Sequence, residues 1–306
     1  TGPYWYAYWR EDGHVRTRYI GRQRPPEDEA ATSQDAPPGS VAATHALRVR
    51  TLGAFEVWRG DTAIPATAWQ RRKAGALFKC LLAAPRQRLH REQASELLWP
   101  ESDPAAGAAY LRGALHQLRK ILDQPGTPSH LQMEGEWLVL IPAPAGDVAD
   151  DWLDVAAFAR AATAALKGRD IVACRAALAR YGGEYLPDDL YSEWAIGCRE
   201  DAQRQRLALL PHLASLCAAQ GLAEEARGYL GEVLQADACN EVAARELMQL
   251  HAAAGQRVAA MRVYRRLATA LRGELNLQPE PETLAVYRSL RHVVVPEPPG
   301  QAARDD

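Results

Sequence analysis

The five cysteines of this chain, Cys80, Cys174, Cys198, Cys217 and Cys239, stand singly and never at a C-x-x-C spacing. That excludes the common zinc frames and leaves no disulfide framework to infer. Each lies in an apolar helical pattern, where a thiol reads as a small buried hydrophobe. No apolar run reaches the roughly 18 residues that a membrane span requires. The opening Thr1-Gly-Pro-Tyr-Trp-Tyr6 lacks a basic stretch followed by an apolar core. No signal peptide is therefore expected, and the reducing cytoplasm is the expected compartment. Catalytic signatures are missing as well: there is no G-x-x-x-x-G-K-S/T, no G-x-G-x-x-G, no H-E-x-x-H and no G-x-S-x-G. The eight His are dispersed with no nucleophile near them in sequence. Asp150, Asp151, Asp188 and Asp189 lack the spacing of a calcium loop. The expectation is a protein that is not an enzyme and holds neither metal nor cofactor.

What is present is an ordinary globular composition, 47% hydrophobic and 24% charged over 306 residues, enough for about two domains. The net charge is −2, so the molecule is no polycation, but its charge is uneven. Residues 47–142 hold 13 Lys+Arg against 9 Asp+Glu, while residues 143–295 hold 17 against 20. A mildly basic module joined to a mildly acidic one fits nucleic acid at one end and protein at the other.

The stretch from Pro104 to Leu122 carries the most information. Leu111, Leu115, Leu118 and Leu122 make one buried helical stripe. Asp103 is placed to cap the helix and Pro104 suits its first position. The opposite side carries Tyr110, Arg112, His116, Gln117, Arg119 and Lys120. These side chains match the hydrogen-bonding edges of a DNA major groove, with Arg suited to guanine and Gln to adenine. The candidate base contacts are Arg112, His116, Gln117, Lys120 and Tyr110; core packing is the competing role for Tyr110, and a solvated helix face competes for the others. Arg71, Arg72 and Lys73 open an earlier helix, where cations and free N–H groups suit phosphates. Arg119 joins them as a phosphate candidate.

The order of elements around this helix is specific. Short strands are expected at 47–52 and 54–58, with a third near Ile64. Helices follow at 71–84, 90–99 and 104–122, with Ala94, Leu97 and Leu98 facing inward in the second. A β-hairpin then joins 130–133 to 137–141 through Glu134-Gly135-Glu136. Strands, three helices and a hairpin define a winged helix-turn-helix over 46–142, with the third helix as reader and the hairpin as wing. The acidic wing tip would repel phosphates. Residues 147–292 are nearly all helical in pattern. There Leu213, Leu216, Ala218, Ala219, Gly221 and Ala226 recur 34 residues later as Leu247, Leu250, Ala252, Ala253, Gly255 and Ala260, the tetratricopeptide period. The expected fold is therefore mainly α with small β: a winged helix followed by a tetratricopeptide-like domain. Residues 1–22 read as an aromatic and Arg-rich hairpin, 23–45 as a disordered linker and 293–306 as a flexible tail.

This layout resembles the streptomycete antibiotic regulatory proteins, in which an OmpR-type winged helix precedes a bacterial transcriptional activation domain. The residues that carry the resemblance are Leu47-Arg-Val-Arg-Thr-Leu-Gly-Ala-Phe-Glu-Val57, Glu96-Leu-Leu-Trp-Pro100, Leu111-Arg112 and Leu118-Arg-Lys120. In the second domain they are Gly182-Gly-Glu-Tyr-Leu-Pro187, Trp194 and Leu271-Arg-Gly-Glu-Leu-Asn-Leu-Gln-Pro279. The resemblance implies a sequence-specific activator that binds double-stranded DNA as a homodimer and recruits RNA polymerase through its sigma or alpha subunit. It also implies that the loop of Glu101, Ser102 and Asp103 faces polymerase. The alternative is a tetratricopeptide scaffold whose winged helix binds protein.

Overall fold

The computed structural model describes residues 5–11, 14–21, 46–70, 72–144 and 149–291. The linker expected over 23–45 and the tail from 293 lie outside the described residues. The chain divides into two units, residues 1–40 and 41–306. In the first, strands β1 (Trp5–Glu11) and β2 (His14–Gly21) pair antiparallel, with Tyr8 opposite Thr17 and Trp9 opposite Arg16.

The second unit begins with an antiparallel sheet of β3 (Leu47–Arg50), β4 (Glu56–Arg59) and β5 (Thr62–Ala63). Leu47 and Val49 point into the core while Arg48 and Arg50 face out, the alternation expected of a half-buried strand. Ile64 does not begin a strand; it packs against the core directly after β5. Helix α1 (Arg72–Ala83) buries Ala74, Leu77, Phe78, Leu81 and Leu82. Left-handed backbone at Arg86 and Gln87 then turns the chain into a three-residue strand, β6 (Arg88–His90). Helix α2 (Arg91–Leu98) buries Ala94 and Leu98, one turn apart, whereas Leu97 is 40% exposed and does not join them. On so short a helix only one narrow stripe reaches the core, and Leu97 lies off it.

Helix α3 (Pro104–Leu122) buries the expected leucine stripe. Asp123 closes it, accepting hydrogen bonds from the His130 N–H at 2.9 Å and the Ser129 hydroxyl at 2.6 Å. This holds the wing strands β7 (Leu131–Glu134) and β8 (Trp137–Leu140) against the end of α3. Strand β6 adds to the wing, giving the sheet order β6-β8-β7.

Helices α4 (Asp154–Lys167), α5 (Ile171–Ala179), α6 (Glu193–Ala219), α7 (Ala223–Ala236), α8 (Glu241–Ala253), α9 (Arg257–Ala270) and α10 (Pro281–Arg291) complete the unit. The internal repeat maps onto two hairpins, α6/α7 and α8/α9. Gly221 and Gly255 end their first helices at equivalent points, with φ +78° and +71°. Leu213 and Leu247 are buried, as are Ala226 and Ala260. Each hairpin covers its apolar face by stacking on the next.

The two domains of this unit interlock. Leu52, from the winged helix, is buried in the core of the helical domain, while Leu153, from the helical domain, is buried in the core of the winged helix. Between them the Asp154 carboxylate accepts hydrogen bonds from the Thr51 N–H, the Leu52 N–H and the Thr51 hydroxyl, at 2.6–2.9 Å. The backbones close on each other around Gly53. A Cβ there would lie 2.3 Å from the Gly182 carbonyl oxygen, and one on Gly183 would lie 2.8 Å from the Gly53 Cα. Gly53 also holds a φ of +83°, so both its contacts and its conformation require glycine. The motif Gly182-Gly-Glu-Tyr-Leu-Pro187 is the other half of the joint. The Glu184 carbonyl accepts the Gly53 N–H, the Leu186 N–H donates to the Thr51 carbonyl, and Tyr185 is fully buried. Lys79 of α1 adds an ion pair to Asp189.

Asp154→Ala leaves two backbone donors and a hydroxyl unpaired at the fully buried Thr51 and Leu52. At about 1–3 kcal/mol per unsatisfied buried group, softened by relaxation, the expected loss is about 3 kcal/mol, read from urea denaturation by tryptophan fluorescence. Unchanged stability would mean that water replaces the carboxylate.

Candidate nucleic-acid interface

Helix α3 is fixed at three points. At its start Asp103 accepts the Ala105 and Ala106 N–H groups at 3.0 and 2.9 Å, which satisfies two of the helix's orphan donors. Along its length the leucine stripe is buried. Near its end the Arg119 guanidinium donates to the Leu131 carbonyl at 3.2 Å, tying the helix to the wing.

The outward side of this helix is open. Arg112, His116 and Lys120, spaced at i, i+4 and i+8, form one exposed strip with no hydrogen-bond or ion-pair partner among the described residues. Gly113 lies within the strip, and a Cβ there would meet nothing within 4 Å. Tyr110 and Gln117 lie on a different flank. Tyr110 is 52% exposed and leans on Trp99, with ring centroids 5.9 Å apart. Gln117 is half-buried and has a partner of its own. The structure thus brings together three of the five residues read as base contacts and sets two aside.

The residues read as phosphate contacts are placed differently from one another. Lys73 donates its ammonium to the Leu98 carbonyl at the end of α2 and sits over the Trp99 ring. A cation at a helix C-terminus is favourable for the same dipole that disfavours it at the start of its own helix. Arg119 is engaged with the wing, as above. Arg71 and the side chain of Arg72 lie outside the described residues. In the loop between α2 and α3, Glu101 is exposed, Ser102 half-buried, and Asp103 spends one carboxylate oxygen on its cap.

The wing changes the electrostatic picture drawn from sequence. Gly135 stands at the first turn position with a φ of +60°, as a mirror-type hairpin turn requires. The flanking Glu134 pairs with Arg88 at 2.9 Å, and Glu136 pairs with Arg91. Both pairs are about half exposed, so they add little stability. They do cancel the tip's charge, and the repulsion expected from two bare carboxylates does not arise. The cations come from β6 and the start of α2, whose place beside the wing depends on the β6–β8 pairing of Arg88 with Val139 and His90 with Trp137.

Between α2, α3 and the wing runs a cleft of about 1080 Å³, floored by Trp99, Leu111, Leu115 and Met133 and edged by Arg112 and His116. It lies beside the exposed strip and gives that face of the domain an apolar component. The cysteines take no part. Burial pushes the Cys80 thiol up to about 12 and raises Cys174 and Cys217 as well, so none is a ready thiolate near neutral pH.

A three-helix winged domain with an open third helix is thus joined to a domain of stacked helical hairpins. Residues 153–291, somewhat less than half of the chain, match the family model of the bacterial transcriptional activator domain. Residues 1–30 match a domain of unknown function (DUF6788). Among solved structures, Mycobacterium tuberculosis EmbR in complex with a low-affinity phosphopeptide is similar in fold, with a TM-score of 0.67 at 20% identity. The match covers 80% of this chain and 65% of that one. No curated protein matches the chain by sequence. Among the described residues no helix is long and apolar enough to cross a membrane.

Gly113→Ala should raise stability by about 0.5–1 kcal/mol, because a methyl enters open space and the helix loses a flexible position. Thermal melting checks this; destabilisation would mean that the α3 surface is closed at Gly113.

Proposed function

We propose that this chain is a sequence-specific DNA-binding activator that lays α3 in the major groove and uses the helical domain to engage the transcription machinery. The observation that carries the reading is the exposed strip of Arg112, His116 and Lys120 around Gly113, rigidly presented and unpaired. Arg112 and Lys120 supply donors for guanine and His116 for either strand, while Gly113 lets the backbone approach the base edges. Arg71 and Arg72 are assigned to phosphates. Arg119 and Lys73 position α3 and α2, and Gln117 and Tyr110 serve as flanking contacts at most. Homodimer formation on a repeated half-site, a cytoplasmic location, and a polymerase contact through Glu101 and Ser102 complete the proposal.

One observation favours a second reading. The apolar cleft beside α3 suits a protein surface better than a phosphate backbone, as a winged helix that binds protein would require. Salt separates the two, since several phosphate contacts make binding weaken steeply as salt rises and an apolar contact does not.

The deciding experiment is selection of bound fragments from random duplex DNA at about 150 mM salt, near physiological ionic strength. A repeated half-site should emerge, and Arg112→Ala should cost about 1–3 kcal/mol and relax one base position. No enrichment by folded protein would transfer the assignment to the protein-binding reading. A second expectation concerns the wing. Glu134→Gln with Glu136→Gln releases Arg88 and Arg91, so affinity for any duplex should rise and the slope of log K against log salt should steepen by about one to two. An unchanged slope would place the wing away from DNA.

A further inference from the structure

The helical domain carries a groove of about 480 Å³ between α7, α8 and α9. Its floor is apolar: Leu247 is buried, and Ala259 and Val263 are half-buried. One wall is the face of α7 that bears Gly228 and Gly231, one turn apart, and a Cβ on either would meet nothing within 4 Å. The opposite wall carries Arg262 and Arg266, both exposed and without an ion-pair partner among the described residues. The other charges lining the groove are already matched. Arg227 pairs with Glu224, and the His251 ring shares a hydrogen bond with Gln256 at 2.8 Å.

Three local features here are costly in the chain by itself. Each of these mid-helix glycines weakens α7 relative to alanine, and no packing neighbour demands it. Two like charges at i and i+4 on α9 repel each other. Such violations of local preference gathered on one concave surface are the mark of a site that awaits a partner. The surplus of two positive charges calls for carboxylates, the bare α7 wall admits a peptide backbone at close range, and Leu247 and Val263 receive an apolar side chain. A duplex would touch only the arginines, because the groove is too narrow to admit it and its floor offers phosphates nothing.

We propose that this groove binds an acidic segment of a partner protein, with carboxylates on Arg262 and Arg266 and an apolar anchor on the floor. This deepens the reading of the helical domain as the arm that engages other proteins, and rests on that reading but not on DNA binding by α3.

The test uses the full chain and a fluorescein-labelled peptide of alternating Glu and Leu, followed by fluorescence anisotropy. Saturable binding is expected, with a loss of about tenfold or more in Arg262→Glu/Arg266→Glu, because close charge pairs dominate such contacts. Gly231→Leu should block the wall and weaken binding similarly. Arg265→Glu, on the same helix but outside the groove, should leave binding unchanged, as should Arg112→Ala. Circular dichroism confirms that each variant is folded. The inference falls if the folded wild-type chain does not bind the peptide, or if a Gln/Leu peptide binds equally well. It also falls if Arg265→Glu weakens binding as much as the groove pair, or if random duplex DNA displaces the peptide with the same arginine dependence. A chain that binds the peptide but no DNA keeps this inference and loses the role given to α3; the reverse result does the opposite.

Discussion

One carboxylate and three glycines hold the molecule's working geometry. Asp154 accepts from consecutive backbone N–H groups at Thr51 and Leu52, while Gly53, Gly182 and Gly183 let two loops approach closer than any side chain would permit. Because a buried backbone donor must find a partner, the joint cannot open by degrees. Leu52 and Leu153 each sit in the other domain's core, so separating the domains exposes both. The direction in which α3 faces is therefore set by the helical domain as well as by the winged helix.

Within that frame, charge is distributed with economy. Several cations that could meet phosphate are occupied: Lys73 on a helix end, Arg119 on a wing carbonyl, Arg88 and Arg91 on wing-tip carboxylates. The strip on α3 and the arginines of the α9 groove are two places where, among the described residues, positive charge is left open. A protein with a net charge of −2 can thus present local positive potential at chosen points, since field depends on arrangement more than on the total.

How much of this could be read from the residues varied with distance along the chain. Helix α3 was plain because its cap, its first-turn proline and its leucine stripe are all local. The helical repeat was plain because Gly221 and Gly255 mark the same left-handed turn 34 residues apart. Strand β6 carries no sequence signal: it has three residues and no periodicity, and it exists only because Arg86 and Gln87 adopt left-handed backbone and β8 offers an edge. Without β6 the sequence offers Glu134 and Glu136 no partners, and the wing reads as repulsive. Lys73 was similarly opaque, since its partner is a carbonyl 25 residues away. The junction motif was recognisable as a pattern, but its cause, backbone against backbone between Gly53 and Gly182, belongs to the folded state alone. Of the candidate contacts, the i, i+4 spacing places Arg112, His116 and Lys120 on one exposed strip, whereas the partner that draws Gln117 aside carries no local sequence signal.

The order of synthesis gives the joint a further meaning. Thr51 precedes Asp154 by 103 residues. At typical translation rates that interval is on the order of ten seconds. During it, the outer edge of β3, which the finished protein covers through the Val49 N–H bond to Trp152 and the bridge to Leu153, has no neighbour, and Leu52 has no pocket. An open strand edge beside an uncovered leucine invites pairing between nascent chains. Each growing copy thus passes through a vulnerable window that closes only when the first residues of the helical domain leave the ribosome.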